Sequence, residues 1–528
     1  MIETSIIKIL GDYAADGNTC VPWETLREHI VGMLDVSSDE IDDAIISLRL
    51  RGGLDEGEVS GERRIFLPQL FQAERGVTGN LLRLLSETPK VIMSDIAGLI
   101  SKSEAALGID LSELQQEAVR RAIDVGFFVI TGGPGTGKTT IIRAILDVFA
   151  HCGIKFAVAA PTGRAAKRIT EATGFTATTI HRLLECSWDD ETDHVYFGRN
   201  AGNKLDHDAI IIDEASMIDV NLMNVLLDAV PTGSRVVIVG DANQLPPVGP
   251  GSVLLDMLES GCVDSIYLTE IFRQEESSAI VTGAHRINSG EFPDFNQSNE
   301  DFIFIQRNTY DDILSTLTDL VMNGIPGSFE EYTGKAGIQI LTPVKKGPLG
   351  NANLNAMIQG ILNPAAQDKI EIKSGERVFR EGDRVMQIKN NYGLSWSEIS
   401  GANEGQGIFN GEMGEIDSID KNNGSLAVVY EGVRKVSYDF SLLSELEHAY
   451  AITVHKSQGC EFPVVVMPVF QTAAALSARN LLYTAVTRGR KLVILVGSND
   501  RLHFMIGNEK GASRYTGLCS FLRDHIGP

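Results

Sequence analysis

An apolar run, a glycine-rich turn and a helical start follow one another in Phe127-Phe128-Val129-Ile130-Thr131-Gly132-Gly133-Pro134-Gly135-Thr136-Gly137-Lys138-Thr139-Thr140. The first four residues predict a buried strand, and residues 141–149 continue with helical spacing. The turn reads Gly-x-x-x-x-Gly-Lys-Thr, whose glycines let backbone N–H groups face inward around phosphate oxygens. A plain tight turn is the alternative, but the position between strand and helix favours a phosphate-binding loop.

This loop predicts both a nucleotide and a metal ion. Lys138 is expected to reach the β- and γ-phosphates, and Thr139 to offer its hydroxyl to Mg²⁺. Nucleotide contacts are expected along the loop, at Gly133, Pro134, Gly135, Thr136, Gly137, Lys138, Thr139 and Thr140. The predicted ligands are therefore a nucleoside triphosphate and Mg²⁺.

Composition bounds the class of protein. The 528 residues suggest about three or four domains at roughly 150 residues each. No apolar run has membrane-spanning length and no signal segment opens the chain, so no membrane partner is expected. The six cysteines are scattered without a Cys-x-x-Cys pair, which argues against a disulfide framework and against a zinc site. This pattern is typical of a reducing compartment, so a cytoplasmic location is expected.

The net charge of −24 counts against non-specific coating of DNA. Phosphate contacts depend on local clusters, and helix N-termini and backbone N–H groups supply many of them. A narrow nucleic-acid channel is therefore not excluded.

Residues 1–72 are predicted to form a separate winged-helix-like domain, with helices at 5–14, 22–34 and 38–50 and then a hairpin turning at 59–61. Ser37 and Glu40 form a potential capping box for the third helix. The domain is rich in Asp and Glu, so a structural or protein-binding role is expected before DNA binding. A helical connector is predicted at 73–108.

From residue 109 the pattern predicts an α/β fold with a parallel sheet, as a first lobe over 109–265. Its strands are expected at 127–130, 156–160, 209–212 and 236–239, each followed by polar residues. Ligands of open α/β sheets bind at that edge. Because polar clusters follow all four predicted strands, they indicate a ligand site at this edge more strongly than any single cluster would.

A second α/β lobe is predicted over 266–376 and 441–528, with strands at 338–341, 464–467 and 492–496. Short strands separated by Gly and Asn turns interrupt it at 377–440, which predicts a small inserted β-barrel. Within the insert, residues 393–407 are expected to form a long mobile loop.

Two acidic residues follow the strand 209–212. Asp213 is expected to hold Mg²⁺ and Glu214 to act as general base on the attacking water. Helix capping is the alternative role for this pair, but the phosphate loop upstream favours catalysis. Phosphoryl transfer also needs cations beyond Lys138, and Arg273 and Arg488 are the candidates from the second lobe. For either arginine taken alone, a surface salt bridge remains the alternative.

The chain resembles superfamily 1 DNA helicases, specifically the stand-alone RecD-like helicases of the 5′-to-3′ branch. The resemblance covers nearly the whole chain and rests on the phosphate loop, Asp213-Glu214 and residues 111–118, 160–166, 179–184, 240–248, 341–347 and 453–461. It implies two RecA-like P-loop lobes that bind ATP and move along single-stranded DNA.

The resemblance also assigns expected roles to single residues. Gln115 would read adenine, Gln244 would sense the γ-phosphate, and Glu461 would contact the ribose. DNA contacts are implied at Pro161, Thr162, Arg164, His181, Asn243, Thr342, Lys346, Thr453 and His455. A duplex-splitting β-hairpin pin is implied at about 188–206, with Tyr196, Phe197, Arg199 and Asn200. The insert resembles the family's Src-homology-type barrel.

The sequence departs from the family pattern in two places. Family members usually carry a further N-terminal region with helix-hairpin-helix elements, which is not readable here, so a short form or a trimmed chain is expected. The last motif has Gly489 after Arg488 where alanine is commoner, and little effect is expected.

Three functions are compatible with these motifs. The first is an ATP-driven 5′-to-3′ helicase, expected to be a monomeric motor on single strands and single-strand/duplex junctions, with repair or recombination proteins as possible partners. The second is a DNA-stimulated ATPase or clamp without processive unwinding, and the third is an inactive scaffold. The scaffold is disfavoured because the predicted catalytic residues and metal ligands are all present: catalytic Lys138, Glu214, Gln244, Arg273 and Arg488, and the metal ligands Thr139 and Asp213. Polarity rests on the resemblance alone, and the pathway and the choice between RNA and DNA stay open.

Overall fold

The computed structural model describes residues 1–34, 36–87, 89, 95–189, 194–270, 278–295, 301–325, 337–367, 369–401, 403–509 and 513–527. The chain divides into two compact units. The first unit comprises Met1–Pro161, Ala165–Phe272 and Ser513–Pro528, and the second comprises Thr162–Arg164 and Arg273–Ala512.

The N-terminal region of the first unit has three helices and a three-stranded antiparallel sheet. The helices are Ile2–Ala15, Trp23–Met33 and Ser38–Leu50, and the strands are Cys20–Pro22, Asp55–Val59 and Glu62–Phe66. The capping box of Ser37 and Glu40 is confirmed. The hairpin turns where predicted, with φ of 52° at Ser60 and 80° at Gly61.

A six-stranded parallel sheet forms the centre of the first unit. In spatial order its strands are Asp264–Leu268, Phe127–Gly132, Arg235–Gly240, Ala209–Ile212, Phe156–Ala160 and Ala177–Thr179. Four of these strands were predicted. The predicted boundary between residues 265 and 266 is wrong, because Asp264–Leu268 pairs in parallel with Phe127–Gly132 and therefore completes the first sheet.

Helices cover both faces of this sheet and bury two apolar cores. After the N-terminal region they are Pro68–Ser86, Ile96–Leu107, Glu113–Asp124, Lys138–His151, Gly163–Thr173, Ile180–Leu183, Val220–Ala229 and Val253–Ser260. The predicted connector is part of one core, since Val77 and Leu81 are buried together with Leu226.

The C-terminal helix Leu518–Ile526 also belongs to the first unit. It packs against the helices Pro68–Ser86 and Val253–Ser260, and its Leu518 and Leu522 are buried in the same core. The prediction that everything from 441 to 528 lies in the second lobe is therefore wrong for this last segment, because its apolar face is buried on the first sheet's helices.

The second unit contains a five-stranded parallel sheet. In spatial order its strands are Phe302–Gln306, Gly489–Gly497, Phe462–Val469, Ile338–Thr342 and Ala451–Thr453. Its helices are Ala279–Asn288, Tyr310–Asp319, Asn351–Leu362, Arg479–Val486 and Asn499–Gly507, with short helical segments at Leu320–Gly324, Phe440–Glu445, Val454–Ser457 and Ala474–Leu476. The three strands predicted for this lobe are present.

Inserted in the second unit is a seven-stranded antiparallel sheet. Its strands in spatial order are Glu404–Ile408, Asn391–Glu398, Arg434–Asp439, Ser425–Tyr430, Met413–Asp420, Arg384–Gln387 and Leu446–His448, and a separate hairpin joins Glu371–Ser374 to Arg377–Arg380. The predicted mobile loop at 393–407 is wrong, because Asn391–Glu398 and Glu404–Ile408 pair as strands. Gly405 leaves room for an aromatic ring there, since a Cβ atom would lie 2.4 Å from Trp396.

The chain is thus α/β, with two parallel sheets and an antiparallel sheet. Within its described part, none of the helices combines the length and the apolar character that a membrane span requires.

Candidate nucleotide-binding site

The glycine-rich loop lies between the strand Phe127–Gly132 and the helix Lys138–His151, as predicted. Gly135 and Gly137 have φ of 76° and 77°, a backbone region that glycine adopts without steric cost. The Thr136 hydroxyl donates to the Gly133 carbonyl at 2.9 Å and braces the turn from inside. The loop therefore curls directly ahead of a helix N-terminus, where the helix dipole favours anions.

Lys138 is the first residue of that helix, and its side chain turns back onto the loop. Its Nζ donates to the carbonyl oxygens of Gly132 at 2.6 Å and Gly133 at 2.7 Å. The ammonium group is thus held at the mouth of the loop by backbone oxygens. A phosphate oxygen could replace those two acceptors.

Asp213 and Glu214 directly follow the buried strand Ala209–Ile212, at the same edge of the sheet as the loop. Only 4% of Asp213 and 7% of Glu214 is exposed. Burial, and then the charge of Glu214, raise the pKa of Asp213 above its ordinary value, while Lys138 acts in the opposite direction. Asp213 accepts the Glu214 backbone N–H at 2.8 Å. Within the described part of the chain, the Glu214 side chain forms no capping hydrogen bond ahead of the short helix Ala215–Met217, so capping does not account for both carboxylates.

Arg168 is a functional candidate that the motifs alone do not reveal. One of its guanidinium nitrogens lies 3.2 Å from Oε1 of Glu214, and its charge lowers the pKa of Asp213. Arg168 lies on the helix Gly163–Thr173, which begins at the ligand-binding edge of the sheet. Its place one turn after Arg164 was the available signal, because residues four apart share a helix face.

Gln244 lies beyond the end of the neighbouring strand Arg235–Gly240. Its Nε2 donates to Oδ2 of Asp241 at 3.2 Å, while Asn243 donates its backbone N–H to Oδ1 of the same carboxylate. Among the described residues, the buried Oε1 of Gln244 has no hydrogen-bond partner. A buried acceptor without a partner is costly, which points to a ligand or water at this position.

The predicted adenine reader, Gln115, is buried and bound within the first unit. Its Oε1 accepts from the Ser112 backbone N–H at 3.1 Å, and its Nε2 donates to the Thr136 carbonyl at 3.2 Å. The side chain therefore connects the start of its own helix to the phosphate loop.

In the second unit, the guanidinium of Arg488 is buried against backbone oxygens. It donates to the carbonyls of Thr484 and Cys460, each at 3.2 Å. Glu461 accepts from Arg490 at 2.6 Å. Arg273, the other predicted cation, lies outside the described residues.

Two of the predicted DNA-contact residues of the second unit are neighbours. Thr342 and Thr453 are register partners at the ends of adjacent parallel strands. Thr342 is buried and donates its hydroxyl to the Leu349 carbonyl at 2.6 Å. Lys346 lies in the loop between Thr342 and Leu349 and is exposed. His455 follows in the helical turn Val454–Ser457.

The predicted DNA-contact residues near the first sheet also follow its strands. Pro161 comes after Phe156–Ala160, with Thr162 and Arg164 at the start of the next helix, and Asn243 comes after Arg235–Gly240. His181 lies in the short helix Ile180–Leu183, 6.2 Å between ring centroids from Phe197. Burial lowers the pKa of His181, which favours the neutral imidazole.

The predicted pin corresponds to a hairpin displaced along the sequence. The strand Cys186–Asp189 pairs antiparallel with His194–Phe197, so the hairpin begins before residue 188. The second strand ends at Phe197, and the next residues form a turn closed by Asn200 and Asn203. Arg199 donates to Glu185 at 2.9 Å and to the Lys204 carbonyl, and so braces that turn.

Comparisons with known proteins identify sequences similar to this chain. Family models match an AAA domain over residues 115–250, an ATP-dependent RecD-like DNA helicase SH3 domain over 354–430 and a UvrD-like helicase C-terminal domain over 448–496. The chain is 34% identical over 474 residues to the ATP-dependent RecD2 DNA helicase of Deinococcus radiodurans, covering 89% of this chain and 60% of that protein. It is 28% identical over 493 residues to the RecBCD enzyme subunit RecD of Mycolicibacterium smegmatis, covering 87% and 82%.

A solved structure of Bacteroides Pif1 bound to single-stranded DNA matches with a TM-score of 0.44 and 21% identity, over 73% of this chain and 92% of that one. The chain spans 60% of the length of its Deinococcus relative. In sequence the chain is thus similar to the RecD2 and RecD proteins, and three of its segments match an AAA domain model and two helicase domain models.

Proposed function

We propose that the chain is an ATP-dependent DNA helicase that moves 5′ to 3′ along single-stranded DNA and unwinds duplex. The observation that carries the proposal is the convergence of Lys138, Asp213, Glu214 and Gln244 at one edge of the first sheet. That set supplies a phosphate cradle, two carboxylates and a side-chain amide, the groups that phosphoryl transfer from ATP requires. The sequence similarity to the RecD2 and RecD proteins supports single-stranded DNA as the substrate and the 5′-to-3′ direction.

In this proposal Lys138 exchanges the carbonyls of Gly132 and Gly133 for phosphate oxygens of ATP. Thr139 and Asp213 would hold Mg²⁺, because Mg²⁺ prefers hard oxygen ligands and is bound through one or two carboxylates plus substrate phosphates. When bound, the ion would neutralise charge between the β- and γ-phosphates. Glu214 would orient the attacking water, and Gln244 would sense the γ-phosphate through that water, whose O–H can donate to Oε1, the atom without a partner among the described residues.

The other predicted residues complete the proposed motor. Arg273 and Arg488 would stabilise charge on the transferred phosphoryl group, Gln115 would read adenine and Glu461 the ribose. DNA would contact both units, through Pro161, Thr162, Arg164, His181, Asn243, Thr342, Lys346, Thr453 and His455. The hairpin Cys186–Phe197 would be the pin that separates the strands.

The remaining assignments are also proposals. The three helices and the small sheet at the N-terminus would form a winged-helix-like domain with a structural or protein-binding role. The antiparallel sheet of the second unit would be a Src-homology-type barrel bordering the DNA strand. We propose a monomeric motor that acts in repair or recombination, and all six cysteines are free, which supports a reducing compartment such as the cytoplasm.

Unwinding of duplexes that carry either a 5′ or a 3′ single-stranded tail, with and without ATP, tests the proposal. We expect ATP-dependent strand separation of the 5′-tailed duplex alone. Lys138→Ala is the matched control, since it should lose hydrolysis while single-stranded DNA binding survives. Unwinding of the 3′-tailed duplex would overturn the polarity, and wild-type turnover in Lys138→Ala would overturn the site.

The second candidate is a DNA-stimulated ATPase or clamp. It shares the ATP site and differs at the pin, whose Tyr196 is 59% exposed. DNA-stimulated hydrolysis without strand separation of either duplex would favour it.

A further inference from the structure

We infer that Arg514 is a positioning residue for the loop that follows Gln244, and that it couples this loop to ATP turnover. The inference rests on the proposed function, which supplies ATP hydrolysis as the reaction. The contacts from which it is argued all lie within the first unit. Arg514 lies in the segment ahead of the C-terminal helix Leu518–Ile526, remote in sequence from every predicted motif.

The guanidinium of Arg514 binds three carbonyls of that loop. Nη1 donates to Gly249 and Gly251, each at 2.8 Å, and Nη2 donates to Pro247 at 2.6 Å. A planar fork with several donors is suited to such a set of acceptors, and hydrogen bonds to a charged donor are stronger than neutral ones. Three contacts within five residues fix the path of the loop immediately after Gln244.

The same loop is attached to the segment that follows the two catalytic carboxylates. The Val220 backbone N–H donates to the Pro250 carbonyl at 3.0 Å. Asp219 caps the helix Val220–Ala229. Burial lowers the pKa of Arg514, and the nearby negative charge of Asp219 offsets part of that lowering. Arg514 therefore holds one side of a loop whose other side joins the chain a few residues beyond Glu214.

We call the three hydrogen bonds between Arg514 and the loop at 247–251 the Arg514 clamp, or the clamp in this subsection. The N-terminal region packs against it. The Gly251 N–H donates to the Gly17 carbonyl at 2.9 Å, and Gly17 itself has φ of 91°. A Cβ atom at Gly17 would lie 2.3 Å from Cζ of Arg514, so only glycine leaves room for the guanidinium. Tyr515 extends the contact, since its N–H donates to Oδ1 of Asn18 and its carbonyl accepts from Thr19.

The clamp has a consequence for turnover. Gln244 uses its Nε2 to bind Asp241 and presents its Oε1 without a partner among the described residues, so its position depends on the backbone on either side. If the loop at 247–251 relaxes, Gln244 loses its fixed geometry while the nucleotide cradle around Lys138 is untouched. The expected signature is a lower kcat with an unchanged KM for ATP.

The test compares Arg514→Ala with Arg523→Ala in ATPase assays with and without a single-stranded oligonucleotide. Arg523 is the matched control, because it lies on the C-terminal helix and also donates to carbonyls, those of Glu259 and Ser260, away from the loop. For Arg514→Ala we expect kcat to fall by about 10- to 10²-fold, the size of effect that a remote misplacement of catalytic groups produces. Arg514→Lys should restore part of it. Equal kcat for Arg514→Ala and Arg523→Ala, at equal Tm, would overturn the inference.

A second pair of variants decides the matter if Arg514→Ala does not fold. Gly17→Ala should reproduce the loss of kcat by displacing the guanidinium, whereas Gly52→Ala should not. Both glycines have positive φ, 91° and 69°, but a Cβ atom at Gly52 meets nothing within 4 Å. Equal kcat in these two variants would count against the clamp.

Hydrogen exchange of the five backbone N–H groups in 244–251, those of Gln244, Leu245, Val248, Gly249 and Gly251, reports the clamp independently of hydrolysis. We expect these amides to exchange at least about tenfold faster in Arg514→Ala than in Arg523→Ala. If the wild type hydrolyses no ATP, the proposed function fails while this readout still tests the clamp. If the wild type is active and exchange at 244–251 is unchanged, the clamp fails alone.

Discussion

Arg168 and Glu214 form an ion pair in the first unit, with 3.2 Å between a guanidinium nitrogen and a carboxylate oxygen. Glu214 is almost fully buried and has φ of 54°, a backbone conformation that is uncommon for a non-glycine residue. A strained, buried carboxylate keeps one orientation only if its surroundings hold it there. Arg168 supplies that restraint from the helix Gly163–Thr173.

Replacing Arg168 should therefore impair hydrolysis more than nucleotide binding. We expect Arg168→Ala to lower kcat by roughly 10- to 10²-fold, because the proposed general base loses its orientation. The KM for ATP should stay near the wild-type value, since the phosphate loop is unchanged. Steady-state ATPase kinetics at saturating single-stranded DNA measure both quantities.

Lys167→Ala is the control for this prediction. Lys167 is the neighbouring cation on the same helix, and its ion pair with Glu171 is exposed, so its loss should cost little. Similar kcat values for the two variants would show that Arg168 does not orient Glu214.

The central strands of both sheets could be predicted because they are buried on both faces. Ala209–Ile212 and Phe156–Ala160 have the predicted bounds, since a strand inside a parallel sheet is a continuous apolar run ended by polar residues. The short strands Ala177–Thr179 and Ala451–Thr453 carry no such signal, because three residues are too few for a pattern.

Packing between segments that are distant in the sequence could not be predicted from the residues alone. The helix Leu518–Ile526 is amphipathic, but nothing in its residues says which core its apolar face enters. Its return to the first unit depends on the buried Leu81 and Leu226 and on the acceptors that Arg514 finds at 247–251. Likewise the sequence of Asn391–Glu398 predicts a loop, because it contains Gly, Ser and Asn, which favour loops over strands. The strand forms because its backbone pairs with a neighbouring strand.

Arg488 tests the proposed role of the second unit in hydrolysis. We expect Arg488→Lys to lower DNA-stimulated turnover by about 10³-fold or more, the scale of arginine fingers. Lysine keeps the charge but not the fork that binds the carbonyls of Thr484 and Cys460. Thermal unfolding should accompany the assay, because Arg488 also satisfies buried backbone oxygens.

Arg501→Ala is the control for Arg488. Arg501 lies in the same unit, where it donates to Oε1 of Gln471 at the surface, and its loss should leave turnover within about twofold. An effect of Arg488→Lys below tenfold would argue against the finger.

The hairpin Cys186–Phe197 should be needed for strand separation and not for hydrolysis. Replacing residues 187–196 by a short Gly-Ser turn removes both strands but keeps Phe197, which packs against the core of the first unit. We expect DNA-stimulated ATPase to persist while unwinding of a 5′-tailed duplex is lost. Persistent unwinding would mean that another element splits the duplex.

Glu74 should make the stability of the first unit depend on pH. Its carboxyl is fully buried and accepts from the Thr19 hydroxyl at 2.6 Å and from the Gly517 N–H at 3.1 Å, so it holds the C-terminal segment. Burial foremost, with a further contribution from the charge of Asp256, raises the pKa of Glu74 to about 8. The folded state therefore keeps a proton that the unfolded chain releases at its ordinary, lower pKa.

The sign follows from this difference in bound protons. Stability from the buried, protonated Glu74 is complete below its ordinary pKa and is lost as the pH rises toward about 8. Glu74→Gln stays neutral at every pH, so the urea midpoint of wild type relative to Glu74→Gln should fall between about pH 5.5 and about pH 8.5. Asp256, whose pKa burial raises to about 7, is present in both proteins, so its contribution largely cancels in the comparison.

Glu62→Gln, at an exposed carboxylate of the same unit, should leave the wild-type slope unchanged. Parallel pH profiles for wild type and Glu74→Gln would mean that Glu74 is charged in the folded protein, held by Thr19 and Gly517 alone.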